Sequence, residues 1–174
     1  NYGCVPSKAL IAAGNRAHAL RTAGKFGIGA VTPEIDHAAV NAHVRSVIDA
    51  IAPNDSIERF TGLGVHVIPA AGKFIDKQTV LAGDQRIPAR RFVIATGSSP
   101  VVPPIRGLAD VPYFTNETIF ANAEPLPHLI VIGGGPIGLE LAQAHRRLGS
   151  EVTVLEGLKA MAKDDPELAA FVLD

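Results

Sequence analysis

The 174-residue chain has one cysteine, one methionine and no tryptophan. A single cysteine cannot close a disulfide within the chain, which excludes a secreted disulfide framework, and it cannot build a cluster of Cys metal ligands. Aromatic residues make up only 5% of the chain and no basic stripe is interleaved with them, so no nucleic-acid partner is expected. Neither sign of charge dominates: Lys and Arg number 16 against 17 Asp and Glu, for a net charge of −1. No apolar run is long enough to span a bilayer, and the first residues lack the charged, apolar and small-residue regions of a signal peptide. The expectation is therefore no membrane partner and a cytoplasmic location. The six histidines, His18, His37, His43, His66, His128 and His145, form no HxxH or HExxH pair, and no metal is assigned to them.

What is abundant is small and aliphatic. Hydrophobic residues make up 47% of the chain, carried by Ala, Val, Ile and Leu, which fits an α/β chain with a real core. From Pro6 to about Ala23 the composition predicts a helix, with Pro6 in a first turn where its missing N–H costs nothing and Cys4 just before the helix N-terminus. Gly24, Gly27 and Gly29 break the pattern. Asp36 followed by Val40, Val44, Val47, Ile48 and Ile51 predicts a second helix that Pro53 ends, and Asp55 with Glu58 resembles a capping box for a short third helix reaching about Thr61. Val65, Val67, Phe74, Ile75, Val80, Leu81 and Ile87 fall in short runs between Gly72, Asp76, Gly83 and Asp84, the pattern of a small antiparallel meander. Phe92 to Ala95 reads as a buried strand ending at Thr96, and six prolines between Pro100 and Pro127 mark a connection, with a domain boundary near Ala123.

After that boundary come an apolar run, Leu129 to Ile132, a glycine turn, a helical run to about Leu148, and a second apolar run, Glu151 to Glu156. Gly133, Gly135 and Gly138 form a GxGxxG placed directly after a strand and opening a helix, the context in which that motif binds a dinucleotide. The first glycine allows the tight turn, the second lets a pyrophosphate approach the helix N-terminus, and the third lets helix and strand pack closely. Glu156 stands 23 residues after Gly133, where a carboxylate accepts hydrogen bonds from ribose hydroxyls and repels a 2′-phosphate, favouring NAD over NADP.

The opening stretch, Gly3-Cys4-Val5-Pro6-Ser7-Lys8, resembles the redox-active segment of the flavin-dependent pyridine nucleotide-disulfide oxidoreductases, the family of dihydrolipoamide dehydrogenase, mercuric reductase and glutathione reductase. In that family the segment reads Cys-x-Asn-x-Gly-Cys-Val/Ile-Pro-Ser-Lys, so the first cysteine is expected two residues before Asn1. The resemblance continues in order through "FVIATGSSP" from Phe92 to Pro100, similar to the segment that closes the FAD domain, and "GGGPIGLE" from Gly133 to Glu140, similar to the NAD-binding turn. "KALIAAGNRAH" and "IAPNDSIERFTGLGV" look closer to the mercuric reductase and lipoamide dehydrogenase branches than to glutathione reductase.

The resemblance implies roles by position. Cys4 matches the cysteine nearer the flavin, Lys8 the lysine beside flavin N5, and Glu140 the partner of that lysine; all three are the implied catalytic residues. Physical chemistry agrees for Cys4, since a sulfur at a helix N-terminus faces the positive end of the helix dipole, with Lys8 one turn along. For FAD the implied contacts are Lys8, Gly72, Ala95, Thr96, Gly97 and Ser98, although "IPAAGKF" departs from the family's Gly-x-Ala-x-Phe pattern around Gly72. For NAD they are Gly133, Gly135, Pro136, Ile137, Gly138, Glu140 and Glu156. The implied fold is α/β of the FAD/NAD(P)-binding, Rossmann-like kind: a partial FAD domain over 1–123 with a meander inserted, and the start of an NAD domain over 124–174.

The expectation is an FAD- and NAD-linked oxidoreductase of small-molecule disulfides or related substrates, a homodimer in its full form, of which these residues are an inactive piece. Lipoamide, mercuric ion, glutathione-like disulfides and transhydrogenation all stay open as its chemistry. So do two other readings, a nucleotide-binding module without catalysis and a flavin oxidoreductase of this fold without the disulfide reaction.

Overall fold

The computed structural model describes residues 3–173. They contain five α-helices, α1 (Cys4–Thr22), α2 (His37–Ile51), α3 (Ile57–Gly62), α4 (Pro136–Arg147) and α5 (Pro166–Leu173), and five strands, β1 (Gly72–Asp76), β2 (Thr79–Ala82), β3 (Gln85–Pro88), β4 (His128–Ile132) and β5 (Glu151–Leu155). The chain divides into two compact units, one made of residues 1–51 and 104–174, the other of 52–103.

The first unit is built on a helix pair. Helix α1 packs against both α2 and α4, and α4 packs on the parallel pair β4 and β5, which run in register from His128 opposite Glu151 to Ile132 opposite Leu155. The core gathers Ala9 and Leu10 from α1, Val44 from α2, Ile119 from the connection, and Leu141, Ala144 and Leu148 from the α4 region. The spacing of Val40, Val44 and Val47 lays one face of α2 on that cluster, as its periodicity predicts. Asp36 caps α2 by accepting the Ala39 N–H at 2.9 Å. Asn41 sits on the same helix and is buried; its amide donates to the carbonyls of Phe120, at 2.8 Å, and Asn122, at 3.0 Å, so the connection is tied to α2. Gly14 lets α1 and α4 approach closely: a Cβ there would stand 3.2 Å from the Ala144 carbonyl oxygen.

The second unit holds α3 and the meander, antiparallel in the order β1-β2-β3 with a bulge between Phe74 and Asp76. Gly83 and Asp84 alone join Ala82 to its partner Gln85, and Gly83 adopts φ +61°, the two-residue hairpin that such a pair favours. Asp76 accepts the Gln78 N–H at 2.7 Å in the preceding turn, and that bond holds its carboxyl below the usual carboxylate range.

Four expectations are corrected. Phe92 to Ala95 forms no strand and is not buried, with Val93 91% and Ile94 74% exposed. A strand exists only through a ladder with neighbours, and none of the five strands pairs with this stretch. Val65 and Val67 likewise lie outside the meander for want of a paired partner. Cys4 is the first residue of α1, not the residue before it: Gly3 caps the helix and its carbonyl accepts the Ser7 N–H at 3.1 Å. Helix α3 is capped by Ser56, whose hydroxyl accepts the Arg59 N–H at 3.1 Å, and not by Asp55 with Glu58, because that hydroxyl stands three residues before the first unpaired donor it can reach.

Candidate functional site

Cys4 begins a helix of 19 residues and is exposed. Its carbonyl accepts the Ser7 hydroxyl at 3.2 Å, which steadies the first turn. Lys8 follows four residues later on the same face. Its Nζ donates to Glu140 Oε2 at 2.6 Å, and the two side chains are 59% and 46% exposed. At that exposure the pair adds little to stability. It fixes where a positive charge stands beside Cys4, on a surface that a ligand can reach.

Glu140 is the fifth residue of α4, the helix that the glycine turn opens. Gly133 continues the β4–β5 ladder by donating its N–H to the Leu155 carbonyl at 2.9 Å, then turns at φ +116°, which a side chain would resist. Gly135 is the N-cap of α4 with no side-chain cap, Pro136 is its first residue, and Ile137 beside it is exposed. The helix N-terminus therefore presents unpaired N–H groups and no acidic side chain in its first turn, a setting that receives anions. Gly138 packs directly on the turn: a Cβ on it would meet the Gly133 carbonyl oxygen at less than contact distance, and Val131 Cγ1 at 3.4 Å. Only glycine fits there.

Glu156 lies just beyond β5. Its Oε2 accepts the Gly134 N–H at 2.7 Å and its Oε1 accepts the Leu158 N–H at 2.9 Å. Those backbone donors, Gly134 first, hold its carboxyl below the usual range, so it is ionised throughout the neutral region. Each oxygen keeps a free lone pair, so a ribose diol can be accepted without breaking either bond. Gly133, Gly135, Gly138 and Glu156 thus come together at the N-terminus of α4. Gly134 was not singled out by sequence reasoning, yet its N–H bonds Glu156, and a Cβ on it would stand 3.2 Å from the Cβ atoms of Ala160 and Glu156, which would have to give way. Met161 was missed too: it holds φ +58° and donates its N–H to the Gly134 carbonyl at 2.9 Å, drawing the loop after β5 onto the turn. The run of three glycines was the available signal for the first; none announced the second.

The residues implied for FAD are divided. Cys4, Lys8 and Glu140 lie in the first compact unit. Gly72, at the start of β1, and Ala95, Thr96, Gly97 and Ser98 lie in the second, where 95–98 are exposed and without regular structure. Gly97 takes φ +68°, in the left-handed region that favours glycine. In the first group an exposed cation and an exposed sulfur stand four residues apart on one helix.

A family model described as pyridine nucleotide-disulphide oxidoreductase matches residues 1–174. The mercuric reductase of Lysinibacillus sphaericus is 33% identical over 173 residues, covering 99% of this chain and 32% of that protein. The mercuric reductase of Shigella flexneri is 36% identical over 184 residues, with 99% and 32% covered. Among solved structures, the Cu(II) complex of the HOCl-induced flavoprotein disulfide reductase RclA from Escherichia coli superposes with a TM-score of 0.73 at 24% identity, covering 99% of this chain and 36% of that one. The chain spans about a third of the length of these relatives. The family match covers residues 1–174, taking in both the Cys4 segment and the glycine turn, and the chain belongs to the pyridine nucleotide-disulphide oxidoreductase family, as an α/β member.

Proposed function

We propose that this chain belongs to an FAD-dependent oxidoreductase that passes electrons between NAD(H), flavin and a cysteine pair containing Cys4, and on to a disulfide or related small-molecule substrate. The observation that carries the reading is the Lys8–Glu140 bond, which ties the helix of the lone cysteine to the helix opened by the dinucleotide turn. FAD, when bound, supplies a two-electron carrier between the nicotinamide and the sulfur.

The chain's own residues have separable tasks. Gly135 and the first turn of α4 receive a pyrophosphate, and Glu156 accepts the ribose hydroxyls. The carboxylate repels a 2′-phosphate, so NAD is preferred to NADP. Lys8 holds positive charge beside a reduced ring, and Glu140 keeps its ammonium in place without burying it. Cys4 holds the sulfur that exchanges electrons with the ring. Gly72 supplies backbone toward the adenine end of FAD, and Ala95 to Ser98 contact FAD where the family's FAD domain closes. By ligand, residues 1–123 serve the flavin and 124–174 the nicotinamide nucleotide, a division by task that crosses the division by packing. Of the cysteine pair only Cys4 is among the 174 residues, so these residues alone do not complete turnover. In its full form the enzyme is a cytoplasmic homodimer, as the family resemblance implies; no described helix is long and apolar enough to cross a membrane.

The test is Cys4→Ser in the full protein. Bound flavin should persist in the visible spectrum while NADH-dependent reduction of disulfides and of mercuric ion is lost. Undiminished reduction of every substrate would refute the role of the cysteine, and a full protein that purifies without flavin would refute the reading altogether.

A further inference from the structure

Where α1, α2, α4 and the 119–124 connection meet, they enclose a cavity of about 30 Å³, room for one water molecule. Its lining is mostly apolar, with Leu10 and Val44 from the core, but it includes Asn41, His37, Glu124 and His145. His145 is 8% exposed, and its Nε2 has no hydrogen-bond partner within the protein. An imidazole placed in this way is tolerable only when neutral, because a buried charge without a partner is costly.

We propose that His145 and His37 form an acid-sensitive latch, in which a neutral His145 lets the connection close over the cavity and a proton on His145 releases it from α2. Three observations set the direction. His37 lines the same cavity as His145. Burial, and then the electrostatic effect of His37, pull the His145 proton affinity below the ordinary histidine value of 6.5. The connection lines that cavity too, and its polar hold on α2 is the pair of bonds from Asn41 to Phe120 and Asn122.

On the helix that carries His145, Arg146 donates to the Ser150 carbonyl and Arg147 to the Asn15 side chain. On the connection, Glu124 lines the cavity. From α1, Lys8 is engaged by Glu140 and Arg21 by the Arg147 carbonyl. His128 on β4 bonds Thr153, and Glu151 starts β5. Of these groups Glu124 alone lines the cavity.

A group whose folded value lies below its unfolded one binds its proton more readily when the site is open. Opening is therefore unfavourable above about pH 6.5 and grows more favourable as pH falls toward the folded value, by up to about tenfold per pH unit for one proton.

Hydrogen exchange of the Asn41 side-chain amide, which makes both bonds to the connection, corrected for intrinsic rates in the full protein, measures that opening between pH 7.5 and 5. Acceleration that approaches tenfold per unit below pH 6.5, and that disappears in His145→Phe, supports the latch. A flat profile, or an unchanged slope in His145→Phe, overturns it. Should that variant fail to fold, NMR titration of the His145 ring in His37→Asn decides: its midpoint must rise toward 6.5, and an unmoved midpoint overturns the proposal.

Discussion

Replacing Gly138 with alanine sets two opposing effects against each other at one atom. Gly138 lies inside α4, where alanine is favoured over glycine by about 1 kcal/mol. The added Cβ, however, would overlap the Gly133 carbonyl oxygen and come within 3.3 Å of the Gly133 carbonyl carbon. Both are backbone atoms, in a turn already committed to φ +116°, so no rotamer change relieves the overlap. Overpacking costs about 1–3 kcal/mol, and a fixed backbone obstacle puts this case at or above the upper end. The clash therefore wins, leaving a net loss of about 2 kcal/mol or more. For a chain of this size a loss of about 2 kcal/mol lowers Tm by about 4–8 °C. Urea unfolding with an unchanged slope and a lower midpoint is the assay, paired with NADH titration by fluorescence. Gly135→Ala is the control, because a Cβ there meets nothing within 4 Å: it should keep most stability and lose NADH affinity. A Gly138→Ala protein as stable as the parent would refute the claim that close packing of helix on strand requires this glycine.

Leu10→Ala should destabilise by about 2–5 kcal/mol, since Leu10 is buried in the α1–α2–α4 core; calorimetry reads it directly. Lys8→Met should change stability by less than about 1 kcal/mol, the pair being exposed, yet slow flavin reduction by NADH in stopped-flow absorbance. Glu156→Gln should weaken NADH binding in equilibrium titration and flatten the acid limb of stability. The sign follows from its lowered proton affinity: the stabilisation is present above about 4.5, the ordinary value, and is lost as pH falls through the folded one.

Helices α1, α2 and α4 and the pair β4 and β5 were legible because their determinants are local: Pro6 in a first turn, valines three and four residues apart, glycines between two apolar runs. The segment 92–95 misled because its apolar residues describe a strand only if partners exist, and a ladder is not a local property. The site was legible to the same extent. The glycine turn and Glu156 announced themselves by spacing, whereas Lys8 and Glu140 are 132 residues apart and were joined beforehand only by family resemblance. Asn41 was passed over, and His145 reads with the other histidines as a surface or capping residue, whereas it is buried. Each is a polar residue at an apolar position of a helix, and the meaning of each depends on what another element brings to it.

The contact of Gly14 with Ala144 also bears on how the two centres move. The helix that begins at Cys4 and the helix that begins at Pro136 are clasped there backbone to backbone, with Lys8–Glu140 toward one end and Arg21 on the Arg147 carbonyl toward the other. Sulfur and glycine turn therefore stand at the same end of one parallel pair of helices, and not on two bodies joined by a hinge. Both N-termini are set by a single packed interface, so loosening the contact of Gly14 with Ala144 would disturb the two together.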